Sequence, residues 1–75
     1  MKRYKNLGGN SGVTAYEIAE DSITVQFNDG GLYLYNHSKP GMSYVNKMKQ
    51  LALRGSGLNS LISRVIKMNY YLKLN

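Results

Sequence analysis

The chain predicts a small α+β domain: a three-stranded antiparallel β-meander followed by two helices packed on one face. Two observations carry that expectation. Apolar residues recur with period two over residues 13–35, and after Pro40 the spacing switches to the three-and-four step of a helix. Glycine-rich breaks fall between the periodic segments, at Asn28-Asp29-Gly30-Gly31 and at Gly55-Ser56-Gly57. With 75 residues and no cysteine, the chain makes one domain, and a domain this size buries only roughly 60% of its unfolded surface.

Residues 1–12 begin basic and then turn to Gly, Asn and Ser, a composition with little to gain from packing, so they read as a flexible basic arm before a single domain at 13–75. The first strand runs from Val13 to Ile18. The second alternates Ile23, Val25 and Phe27 with Thr24 and Gln26, and the third covers Leu32 to Tyr35. Asp29-Gly30 marks a hairpin between the second and third strands, with two registers open. A two-residue turn pairs Val25 with Leu34 and turns Tyr33 and Tyr35 to the open face. A three-residue turn with Gly30 as a bulge pairs Val25 with Tyr33 and buries both tyrosines.

Ser38-Lys39-Pro40-Gly41 holds a helix-start signal, because proline at the first helical position has no N–H to waste. Tyr44, Val45, Met48, Leu51 and Ala52 then share one arc, opposite Asn46, Lys47, Gln50 and Arg54. In a second helix Leu58, Leu61, Ile62, Val65 and Met68 form the apolar stripe, with Ser60, Ser63, Arg64 and Lys67 on the wet side.

Charge is segregated along this order. Residues 1–29 sum to −1, whereas residues 30–75 carry +7 and contain no Asp or Glu. Such a surface cannot neutralise itself locally and attracts anions, phosphate or an acidic partner. Catalysis finds few candidates. There is no thiol, and the one histidine, His37, lies in the polar loop Asn36-His37-Ser38 beside a serine it is poorly placed to activate. No metal or cofactor is implied, and the chain reads as a non-enzymatic binding module. No apolar run approaches the ~18 residues of a membrane span, and Met1-Lys2-Arg3 is not followed by the apolar core of a secretion signal, so a soluble, cytoplasmic protein is expected.

The stretch Val25-Gln26-Phe27-Asn28-Asp29-Gly30-Gly31-Leu32-Tyr33-Leu34-Tyr35 resembles the V-x-F-x-x-G-x-x-Y-x-Y centre of the KTSC domain, a module named after the lysyl-tRNA synthetase C-terminus. Residues 48–62, MKQLALRGSGLNSLI, are similar to that family's M-K-x-L-A-x-x-G-x-G-L-N-x-x-I segment, and Ile66-Lys67 followed by Tyr70 resembles its closing pattern. The likeness covers about residues 11–71. It implies a stand-alone member of a kind found in bacteria and their phages, with no established enzymatic activity and a suggested link to RNA.

Three features can carry anion binding, each beside a plainer reading. Arg54, Gly55, Ser56, Gly57 and Asn59 can cradle a phosphate with backbone and side-chain donors, or they are a helix connector with Gly55 terminating one helix and Ser56 capping the next. Tyr33 and Tyr35 can stack on bases, or they are core. Lys47, Arg54, Arg64 and Lys67 can merge into one basic strip with Lys2, Arg3 and Lys5, or they are ordinary solvated lysines and arginines. Tyr70-Tyr71-Leu72-Lys73-Leu74 can extend that surface, dock as a last strand, or bury apolar area in a homodimer. The expected partner is nucleic acid, RNA before a specific duplex site. The alternatives are an acidic face of a host protein, for a phage- or mobile-element-type interaction protein, and a small phosphorylated ligand or nucleotide at the 55–57 turn.

Overall fold

Period-two alternation from Val13 onward folds, in a computed structural model describing residues 1–75, into three antiparallel strands at the centre of a larger sheet. The sheet has five strands in the order β1-β2-β3-β4-β5, all antiparallel: Lys2–Arg3, Val13–Ile18, Ser22–Phe27, Leu32–Asn36 and Leu72–Lys73. The three central strands are the meander expected from the sequence. The two edge strands are additions, each only two residues long, too short to show a period of two.

Residues 1–12 therefore do not hang free as an arm. Lys2 and Arg3 pair with Tyr16 and Ala15, and the Tyr4 ring is 3% exposed within the core. The backbone N–H of Tyr4 donates to Thr14 O at 2.9 Å, and its hydroxyl accepts from the Leu58 N–H at 3.3 Å. One apolar ring in a polar segment is invisible to periodicity, yet it ties the N-terminus to the far end of the chain.

A bulge sets the face of β2. Val13 pairs with Phe27 and Ala15 with Gln26, so Thr14 is the extra residue. Val13 and Tyr16, three apart, consequently both point into the core. Between β3 and β4 the chain takes the three-residue turn: Phe27 N–H donates to Gly31 O at 2.9 Å, and Gly30 adopts φ 89°. The Asp29 carboxylate locks this turn by accepting the Gly31 N–H at 2.8 Å. Ile23 then faces Tyr35 and Val25 faces Tyr33.

Helix α1, Met42–Arg54, packs against β3 and β4 through Val45, Met48 and Ala52, all buried. Tyr44, expected in the stripe, is instead exposed, at the stripe's edge. Pro40 does not open the helix either. The loop before it closes on Asn36, whose side-chain oxygen accepts the N–H groups of Ser38 at 3.1 Å and Lys39 at 3.0 Å, and Gly41 at φ 110° precedes the first turn. Gly55 ends α1 in the left-handed conformation, its N–H on Leu51 O.

The second helical segment starts as α2, Leu58–Leu61, and continues as a π-helical turn over Ile62–Ile66. Gly57, rather than Ser56, is its N-cap, and no side chain caps it. Leu58, Ile62 and Ile66 are buried, while two residues expected in the stripe are exposed: Val65, within the wider i→i+5 turn, and Met68, beyond the helical segment, where the chain has already turned at Lys67. No helix is long and apolar enough to cross a membrane.

Candidate nucleic-acid interface

Four of the expected site residues come together. Gly55, Ser56, Gly57 and Asn59 line one polar cavity of about 200 Å³, closed from the other side by Asn6, Gly8, Asn10 and Ser11. The loop that brings these residues in is built by Asn6, which sits at φ 55°, a conformation asparagine tolerates. Its side chain accepts the Ser11 N–H at 3.0 Å and its carbonyl accepts the Gly9 N–H at 3.0 Å. The loop is pinned to the helix connector by Leu7 N–H donating to Gly55 O at 2.8 Å.

The cavity's chemistry suits an anion. It contains no carboxylate. The N–H groups of Ser56, Gly57, Asn59 and Ser60 find no backbone acceptor, and the hydroxyl and amide side chains around them supply further donors. Arg54 lies exposed next to this turn in the chain, and Lys5 packs its stem against Gly55. Sequence reasoning missed Asn6, Asn10 and Ser11. Their signal was present in the turn-forming Asn6 and Gly8-Gly9, which mark a tight loop as well as a loose arm.

No Lys or Arg side chain is paired with a carboxylate, although the Lys49 ammonium donates to Glu20 O at 2.8 Å. The one ion pair in the structure joins the Met1 amino group to Glu17 at 4.0 Å, so none of the ten Lys and Arg side chains is matched by a carboxylate. Lys47, Arg54, Arg64 and Lys67 are all exposed. Lys67, however, stands at the end of the second helical segment, lining a different recess from the 55–57 turn.

The sheet does not offer a stacking platform of two open rings. Tyr35 is 1% exposed, because the bulged register turns it onto the helix side. Burial, followed by the neighbouring phenols of Tyr33 and Tyr70, pushes its pKa above the usual tyrosine range. Tyr33 is half-buried and meets Phe27 edge-on at 5.5 Å and Tyr70 at 4.8 Å between ring centroids. Tyr70 reaches this cluster because Tyr71 N–H donates to Leu34 O at 2.8 Å and Leu72 pairs with Leu34.

No family model, curated protein or solved structure matches the chain. The functional reading therefore rests on the residues and their geometry.

Proposed function

We propose that this chain is a small KTSC-like binding module for single-stranded nucleic acid, RNA before DNA, acting without catalysis. The observation that carries the reading is that no Lys or Arg side chain is paired with a carboxylate, in a chain whose last 46 residues contain no acid. Unpaired surface cations gain most by releasing counterions from a polyanion. Lys47, Arg54, Arg64 and Lys67 supply the phosphate contacts in this reading, and the ordered KTSC-like motifs over residues 11–71 favour RNA.

The test is fluorescence anisotropy of a labelled single-stranded RNA across a salt series. Affinity is expected to fall with salt at a log–log slope of about −0.7 per phosphate contacted, and Arg54→Ala to reduce that slope by about one such step. A folded protein that fails to bind at low salt sinks the reading and directs attention to an acidic protein partner.

A second reading rests on the polar cavity: capture of a small phosphorylated ligand between the 6–11 loop and the 55–57 turn. Titration of inorganic phosphate against backbone amide shifts separates the two. Shifts confined to Gly8, Ser56, Gly57 and Asn59 at saturable phosphate support the small-ligand reading.

A further inference from the structure

Lys67 occupies a backbone position that suits glycine. Its φ of 54° and ψ of −122°, with Asn69 N–H donating to Ile66 O at 3.0 Å, make it the first central residue of a type II′ turn. Glycine adopts that conformation without steric cost, and a side chain there is strained. The turn follows directly from the π-helical segment, whose last bond runs from Lys67 N–H to Ile62 O. A long cationic side chain held in a strained turn is a feature that packing does not require.

What the turn positions is the recess beside it. Phe27, Tyr33, Tyr70, Met68 and Lys67 line a cleft of about 290 Å³ with Asp29 at its mouth. The aromatic walls are already fixed: Tyr33 is held edge-on between Phe27 and Tyr70, and the Lys73 ammonium stands 5.6 Å from the Tyr33 centroid. Gly31 makes the close approach possible, since a Cβ there would lie 3.0 Å from Tyr33 Cε1 and 3.1 Å from Asp29 Oδ1. Asp29 Oδ1 is engaged by the Gly31 N–H, and the carboxylate retains acceptor capacity on its exposed side.

We infer that this cleft is a nucleotide slot, taking one base against Tyr33, Tyr70 and Met68 with its phosphate on Lys67, and preferring guanine through Asp29. The charge arrangement is what commits it to a nucleotide. An apolar peptide side chain would use the aromatic walls alone, whereas a nucleotide presents a flat ring to them and an anion to the exposed Lys67 ammonium. A carboxylate at the mouth selects a base edge with adjacent N–H donors, and guanine offers N1–H and N2–H side by side. The inference rests on the nucleic-acid reading for its ligand class but uses residues outside the polar cavity.

The experiment follows aromatic-ring and methionine-methyl NMR signals during titration with guanosine monophosphate, uridine monophosphate, an oligouridine strand, and the same strand carrying one guanosine. Wild type is compared with Lys67→Gly and Asp29→Asn. Ring signals of Tyr33 and Tyr70 and the Met68 methyl are expected to shift with guanosine-bearing ligands. Lys67→Gly relaxes the turn and keeps the fold while removing the ammonium, and is expected to weaken guanosine binding about tenfold. Asp29→Asn is expected to erase the preference over uridine.

Shifts with the free nucleotide and none with the strand identify a nucleotide receptor and support the slot while weighing against strand binding. Strand binding with unmoved ring signals, or with full affinity in Lys67→Gly, overturns the slot and leaves the nucleic-acid reading standing. Binding of neither nucleotide nor strand overturns both.

Discussion

Lys5 and Gly55 touch so closely that a Cβ on Gly55 would lie 2.6 Å from the Lys5 Cβ. Such a distance leaves no room for any side chain, and Gly55 also holds φ 84° to end α1. Two demands that only glycine meets thus coincide where the N-terminal segment crosses the helix connector. Gly55→Ala is expected to destabilise the fold by about 1–3 kcal/mol and to loosen residues 5–11, measured as a urea midpoint and as faster amide exchange at Leu7.

Tyr4 is the other anchor of that segment. Tyr4→Phe removes the acceptor of the buried Leu58 N–H, at an expected cost of about 1–2 kcal/mol. Tyr4→Ala also empties a fully packed ring site, with an expected cost of about 3–5 kcal/mol. Equilibrium unfolding of the two variants reads the difference. Equal and negligible losses would mean that the N-terminal residues contribute nothing to the fold.

Relaxing the strained turn has the opposite sign. Lys67→Gly is expected to raise stability by about 1 kcal/mol, because relief of a positive-φ side chain outweighs the added entropy of glycine in the unfolded chain. Lys67→Ala removes the same charge without the relief and is expected to show no such gain, which separates backbone strain from charge in a thermal melt.

Tyr35 makes stability fall at alkaline pH. Its pKa is raised in the folded state, first by burial and then by Tyr33 and Tyr70, above the value of ~10 for an exposed tyrosine. The folded form therefore holds the phenolic proton more tightly. The resulting stabilisation is fully present below pH ~10 and is lost as pH rises above it, by up to about 1.4 kcal/mol per pH unit. Tyr35→Phe lacks this contribution, so urea midpoints of wild type are expected to drop more steeply than those of the variant through that window. Parallel curves would show that Tyr35 ionises as freely in the folded protein as in the unfolded one.

Particular residues show why some of this was legible and some was not. The central strands were visible because Ile23 and Val25 face one side and Thr24 and Gln26 the other, a local property of extended chain. The β3–β4 register was not, since Asn28-Asp29-Gly30-Gly31 supports two turns. Burial of Tyr35 beneath the helices accompanies the bulged one. An ideal 100° step puts Val65 and Met68 inward, but Val65 lies in a π-helical turn that does not follow that step and Met68 lies beyond the helix, after the turn at Lys67. In the candidate site, Gly55, Ser56, Gly57 and Asn59 were found from their turn chemistry, whereas Asn6, Asn10 and Ser11, some 45 residues earlier in the chain, are joined to them only in the folded chain, by the docking of Tyr4 and the hydrogen bond from Leu7 N–H to Gly55 O.

The amino-acid order alone thus decided which residues of β3 and β4 share a face, where the chain breaks into turns, and that the cations of the second half meet no nearby acid in sequence, because these follow from spacing and charge within a few residues. Folding in three dimensions decided the register of Tyr33 and Tyr35, the two edge strands, the polar cavity and the aromatic cleft beside Lys67. Each of these depends on contacts between segments distant in the chain, Tyr4 with Leu58 and Leu34 with Leu72, whose free energy comes from jointly buried surface and long-range hydrogen bonds that no local pattern encodes.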